Sequence, residues 1–147
     1  MTERPETVPR GLEGLVVVEL GDYVAMPACP RQLGELGATV YKVETEGGRE
    51  IMSKLLDKAD IFVTSLRNPS LQRLGYDYKT LHEKYPKLVY GQMRGYGERG
   101  PMKDAKGFDA TCYSARGGLL MSIPQDDEHF QPGNMPAAFG DWNASIA

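Results

Sequence analysis

Short apolar runs alternate with amphipathic stretches along most of the chain. "LVVVEL" (Leu15 to Leu20) is β-branched and nearly continuous, the pattern of a strand buried on both faces. The spacing then predicts a helix over Pro27 to Leu36. Leu33 and Leu36 share its inner face, Pro27 sits in the first turn, and Gly37 is placed to end it. "TVYKVE" (Thr39 to Glu44) alternates like a second strand, completing a βαβ unit with short connections. Further on, "GREIMSKLLDKA" predicts a helix with Ile51, Leu55 and Leu56 on one face, and "IFVTSL" (Ile61 to Leu66) a third strand. "KTLHEKY" reads as a short helix stopped by Pro86, "LVYGQM" (Leu88 to Met93) as a fourth strand, and "FDATCYSARGG" as a helix ending at Gly117. A polar loop, "IPQDDEHFQPGNMP", leads to "FGDWNASIA", where a last helix begins. Strands alternating with helices predict one α/β domain with a largely parallel sheet, preceded by a polar tail over residues 1–11.

Composition narrows this picture. A chain of 147 residues can bury one ordinary core, and 41% hydrophobic with 25% charged residues are globular rather than disordered values. The net charge of −3 comes with no lysine or arginine stripe, which argues against nucleic acid as a partner. No apolar run approaches the length of a membrane span, and "MTERPETVPR" lacks the apolar stretch of a signal peptide. Cys29 and Cys112 are too few for a disulfide framework. These features predict a soluble cytoplasmic protein with reduced thiols and no membrane partner.

Several patterns bear on chemistry, each with a bland reading beside it. A dinucleotide site needs closely spaced glycines after the first strand, and "LGDYVAMPA" offers Val24 and Met26 there instead. "DDEHF", with His129, has no second cluster at metal-ligand spacing, so no metal is expected; His82 lies in a polar helix and is expected to be exposed. Cys29 stands near a helix N-terminus, where a thiol can become nucleophilic, yet no histidine partner is evident and a structural role is favoured. Cys112 reads as structural too. "RGYGERGP" (Arg94 to Pro101) follows a strand and combines glycine-freed backbone with guanidinium groups, which suits a phosphate-bearing ligand and equally suits a plain surface loop. Asp141 lies at a helix start. It is either a cap or a reactive carboxylate whose ionised form the helix N-terminus favours.

The landmarks "GLVVVEL", "PACPRQLGELGATVYKVE", "LLDKADIFVTSLRN", "LQRLGYDYKTLHEKYPKLVYGQMRGYGERGP", "GFDATCYSARGG" and "PAAFGDWNASIA" run in order over residues 11 to 147. In that order the chain resembles the N-terminal part of class III (family III) CoA-transferases, which include formyl-CoA, carnitine-type and 2-hydroxyacyl-CoA transferases. The resemblance implies a Rossmann-like, largely parallel sheet with flanking helices, forming an incomplete large domain over residues 12–147. It implies coenzyme A as carrier, an acyl-CoA and a carboxylic acid as substrates, and an interlocked homodimer. It places the nucleophile on Asp141, through an aspartyl anhydride and an aspartyl-CoA thioester. CoA contacts carry over to Val24 and Ala25, to Ser65, Leu66 and Arg67, to Arg73, and to the turn Arg94, Gly95, Tyr96 and Gly97.

The departures from the family are specific. Val24 replaces a polar residue of some members, and Ser65-Leu66-Arg67 differs from the usual triplet of asparagine, aromatic and glycine. A longer family segment is missing between Gly48 and Arg49, and the chain stops soon after Asp141. The stretch ending "GYGERGP" and the following "GFDA" look most like the 2-hydroxyacyl-CoA branch. The expectation is a CoA-transferase with little turnover as this short chain. The alternative is a non-catalytic CoA-binding or assembly module of the same descent.

Overall fold

The computed structural model describes residues 10–44, 49–122 and 136–147. Four strands, β1 (Val16–Leu20), β2 (Thr39–Lys42), β3 (Ile61–Thr64) and β4 (Val89–Gln92), form one sheet in the order β2-β1-β3-β4. Every neighbouring pair is parallel, with Val17 opposite Val40 on one side and Ile61 on the other. Parallel neighbours need crossovers. These are supplied by α1 (Ala25–Glu35), α2 (Arg49–Leu56), and the pair α3 (Asn68–Leu74) and α4 (Tyr78–Lys84).

The three successive valines of β1 explain why its apolar run is unbroken. Val18 packs with Met52, Leu56, Phe62, Leu81 and Leu88 on one face, while Val17 packs with Met26, Ala38 and Val63 on the other. Both faces are dry, so alternation disappears from the sequence. Glu19 continues the strand and is only 3% exposed, with one carboxyl oxygen unpartnered. Burial pushes its pKa up, against the pull of Lys42 opposite it on β2.

The element boundaries differ from the sequence expectation in instructive ways. α1 starts two residues early because the Val24 carbonyl already accepts the Ala28 N–H, so both Pro27 and Pro30 lie inside it. Gly37 ends the helix region as expected, at φ +113, and residues from Arg10 onward fold back there, Leu12 N–H donating to Leu36 O. Arg10 and Gly11, expected in the polar tail, therefore belong to the described fold. α3 has no counterpart in the sequence reading: "NPSLQRL" is short and opens on proline, but Gly75 closes it in the left-handed region. "FDATCYSARGG" forms a π-helix over Asp109–Ala115, followed by a 3-10 turn at Leu119–Met121. The final helix, α5 (Phe139–Ile146), lies against α1, where Gln32 Nε2 donates to the buried Ser145 Oγ at 3.0 Å. Residues 123–135, with His129 and the "DDEHF" cluster, and residues 1–9 and 45–48 lie outside the described part. No helix among the described residues is long and apolar enough to cross a membrane.

Candidate active site

Strand order decides where a ligand can sit. From β1 the sheet grows to β2 on one side and to β3 on the other, so the carboxyl ends of β1 and β3 flank a crevice at the topological switch point. The loops leaving those ends are tied together. Thr64 Oγ1 donates to Leu20 O at 2.6 Å, and the Asp22 N–H donates to Ser65 Oγ at 3.2 Å. Gly21 permits this approach, since a Cβ there would overlap Met26 and Ser65 Oγ. Above the crevice lies a cavity of about 550 Å³, lined from the loops after β1, β3 and β4, the π-helix and the start of α5.

Part of the cavity lining is cationic. Arg94 is held through Nη2 by Asn68 Oδ1 and Gln92 Oε1, both at 2.7 Å, while its Nε is buried without a partner. Arg67 Nη1 donates to Asp104 O at 3.2 Å, and Lys103 and Lys106 stand on the same loop. An under-satisfied guanidinium beside two ammonium groups suits the phosphates of a nucleotide-like carrier such as coenzyme A. The turn after β4 rests on this loop: Gly95 and Gly107 touch back to back, and a Cβ on either would strike the other.

Asp141 lines the same cavity. It lies in the first turn of α5 and is not the helix cap; that position is Ala138, at φ +61. The side-chain capping comes from Asp109, whose Oδ1 accepts the Gly140 N–H at 2.6 Å. Among the described residues none donates a hydrogen bond to the Asp141 carboxylate. Burial, and secondly the charge of Asp109, push its pKa above the ordinary aspartate value. Cys112 sits between them with its thiol donating to Phe108 O at 2.9 Å, and burial raises its pKa too. Burial likewise raises Cys29, so neither thiol is activated as a nucleophile.

The cavity brings together Asp141 with Ala25, Ser65, Leu66, Arg67, Arg94 and Gly95. Val24, Arg73, Tyr96 and Gly97 are not among the residues lining it. Val24 is the N-cap of α1, Arg73 lies in the last turn of α3, and the Tyr96 ring is covered by the Arg116 guanidinium at 5.8 Å. Tyr23, Lys103, Lys106, Phe108 and Asp109 are lining residues that sequence reasoning missed. They occupy loops and a π-helix, where no hydrophobic period marks a side chain. His82 is exposed and stacks on Tyr78, and no group of three potential metal ligands occurs among the described residues.

The fold and site define an open α/β domain that holds a carboxylate and a cationic pocket at its switch point. A profile of CoA-transferase family III matches residues 12–48 and 44–147, and the chain belongs to that family. It is 36% identical to the (R)-2-hydroxy-4-methylpentanoate CoA-transferase of Clostridioides difficile, covering 92% of this chain and 44% of that one. With the cinnamoyl-CoA:phenyllactate CoA-transferase of Clostridium sporogenes the identity is 33%, over 90% of this chain and 42% of that one. A CaiB/BaiF family protein from Brucella suis superposes with a TM-score of 0.82 at 26% identity, covering 95% of this chain and 48% of that chain. A Mycobacterium tuberculosis protein shares the fold with a TM-score of 0.84 at 24% identity. The chain thus spans a little under half the length of these relatives. The first alignment has 177 positions, whereas 92% of 147 residues is about 135, so about 42 positions are unmatched here. The two stretches matched by the family profile meet at residues 44–48, just after β2.

Proposed function

We propose that this chain carries the nucleophile and much of the carrier pocket of a CoA-transferase of the 2-hydroxyacyl type. The observation that carries the reading is the shared cavity. Asp141 lines it together with Arg67, Arg94, Lys103 and Lys106. The names of the two relatives above 30% identity support the acyl class.

In this reading Asp141 attacks the thioester carbonyl carbon through one carboxylate oxygen. The tetrahedral adduct collapses with cleavage of the C–S bond, giving a mixed anhydride and CoA thiolate. The thiolate attacks the aspartyl carbonyl, releasing the donor acid as its carboxylate and leaving an aspartyl-CoA thioester. The acceptor carboxylate attacks that thioester in turn, forming a second anhydride and freeing the thiolate again. Attack of the thiolate on the acceptor acyl carbon yields the new acyl-CoA and regenerates Asp141. Each step exchanges one leaving group for another with no change of oxidation state. A carboxylate is a weak nucleophile, so holding it in a cavity beside the positive end of α5 supplies orientation and charge stabilisation.

The homodimer, the cytoplasmic setting and a missing family segment after Gly48 belong to the same proposal; the division of the family match into two stretches that overlap at residues 44–48 supports the last of them. For the 147 residues alone we expect CoA binding without sustained turnover. The test is mass spectrometry of the purified chain after mixing with 2-hydroxy-4-methylpentanoyl-CoA, with hydroxylamine added to trap activated aspartate. The expected result is a hydroxamate on Asp141 that Asp141→Ala abolishes. CoA binding with no trapped carboxyl would favour the non-catalytic module. A hydroxamate elsewhere would remove Asp141 as nucleophile.

A further inference from the structure

We propose that Tyr23 and Phe108 form an aromatic clamp that selects acyl groups with a bulky apolar side chain. The inference rests on the reading of this cavity as an acyl-CoA site and assigns its acyl end to two residues.

Four observations on these two residues converge. Tyr23 holds φ +67, one of two non-glycine residues in the left-handed region among the described residues. That conformation is uphill for a bulky residue and is maintained where the surroundings impose it, commonly at ligand sites. The Tyr23 ring meets Phe108 edge to face, with centroids 5.4 Å apart and planes at 85°. Both rings stay largely open to solvent, Tyr23 at 78% and Phe108 at 50% exposure. Both line the cavity into which Asp141 opens. Two strained or exposed aromatic side chains gripping each other across a cavity mouth bury little of their own surface. They have apolar area to offer a third group.

Phe108 is tied to the residues around Asp141. Phe108 immediately precedes Asp109, whose carboxylate caps α5 at Gly140, and the Phe108 carbonyl accepts the Cys112 thiol. Arg67, by contrast, is tied to Asp104, and Arg94 to Asn68 and Gln92. Tyr23, Phe108, Cys112 and Tyr113 line the same cavity as Asp141 and carry no formal charge, so in this proposal they receive the acyl portion of a thioester reacting there. Burial raises the pKa of the Cys112 thiol, which donates to the Phe108 carbonyl. An aliphatic branch or a phenyl ring fits between aromatic edges by dispersion and area burial.

The test measures dissociation constants by calorimetry for CoA, S-ethyl-CoA and S-(4-methylpentyl)-CoA, thioethers that Asp141 cannot attack. Wild-type protein is expected to bind the branched thioether more tightly than the other two. Tyr23→Gly removes the ring and suits the positive φ, so the variant should melt no lower than wild type. It should lose at least about tenfold in affinity for S-(4-methylpentyl)-CoA, the scale of one apolar side-chain contact, with CoA affinity within about twofold. Phe108→Ala should show the same split. Equal weakening toward CoA and the branched thioether would assign the rings to the carrier and overturn the clamp. Unchanged discrimination in both variants would overturn it as well. Failure of wild-type protein to bind any of the three would instead remove the CoA-site reading, and the clamp with it.

Discussion

Asp109 accepts the Gly140 N–H and, one residue further on, repels the Asp141 carboxylate. The two effects can be separated because asparagine keeps the accepting oxygen and loses the charge. On the proposed mechanism Asp141 reacts as the ionised form, and its raised pKa, due first to burial and then to Asp109, places the loss of that form at higher pH than for an ordinary aspartate. Asp109→Asn should therefore move the acid limb of aspartyl adduct formation to lower pH while leaving the fold intact. Trapped hydroxamate measured across the acid range checks this; a limb that does not move would show that Asp109 acts only as a cap. Local sequence left Asp141 open between cap and nucleophile, and there was a physical reason. The residue that does the capping is 31 positions away and belongs to another element.

At the scale of elements, the entry into α5 is where chemistry meets packing. Gly140 is buried against the π-helix, and a Cβ there would overlap the Tyr113 ring and Asp109 Oδ1. Gly140→Ala should destabilise the chain by about 1–3 kcal/mol, the usual range for overpacking, and displace Asp141. Ala138→Gly, two residues earlier, should act in the opposite direction, since Ala138 holds φ +61. Relief of that strain is worth up to about 1 kcal/mol. Thermal unfolding of both variants tests the pair, and the same sign for both would contradict the geometry. β1 and β3 were legible because buried parallel strands write themselves as apolar runs, and β2 because its residues alternate. α3 and the π-helix were not: seven residues opening on proline carry no helical period, and π hydrogen bonding follows from packing rather than composition.

For the molecule as a whole, α5 leaves Trp142 49% and Ile146 68% exposed, near the end of a chain spanning less than half of its relatives. Apolar side chains left open on one helix favour association. On the homodimer proposal, native mass spectrometry should find two copies rather than one. Ile146→Lys should shift the population toward monomer without lowering the melting temperature, because Ile146 already faces solvent. A wild-type chain that stays monomeric at all concentrations would end the dimer proposal for these 147 residues.

Order and polarity along the chain determined that β1, β2, β3 and β4 would be parallel strands joined by helices, because strands alternate with helical stretches and the central β1 and β3 are apolar on both faces. They also determined that Arg94 would leave a strand end with glycines around it. The site itself came from tertiary structure. Strand order β2-β1-β3-β4 brings the loops after Leu20, Thr64 and Gln92 to one crevice, and the π-helix and α5 then close over it. Tyr23 meets Phe108, and Asp109 meets Gly140, across separations that no local period records. Such contacts depend on which strand lies beside which, a choice made by the burial of the whole sheet.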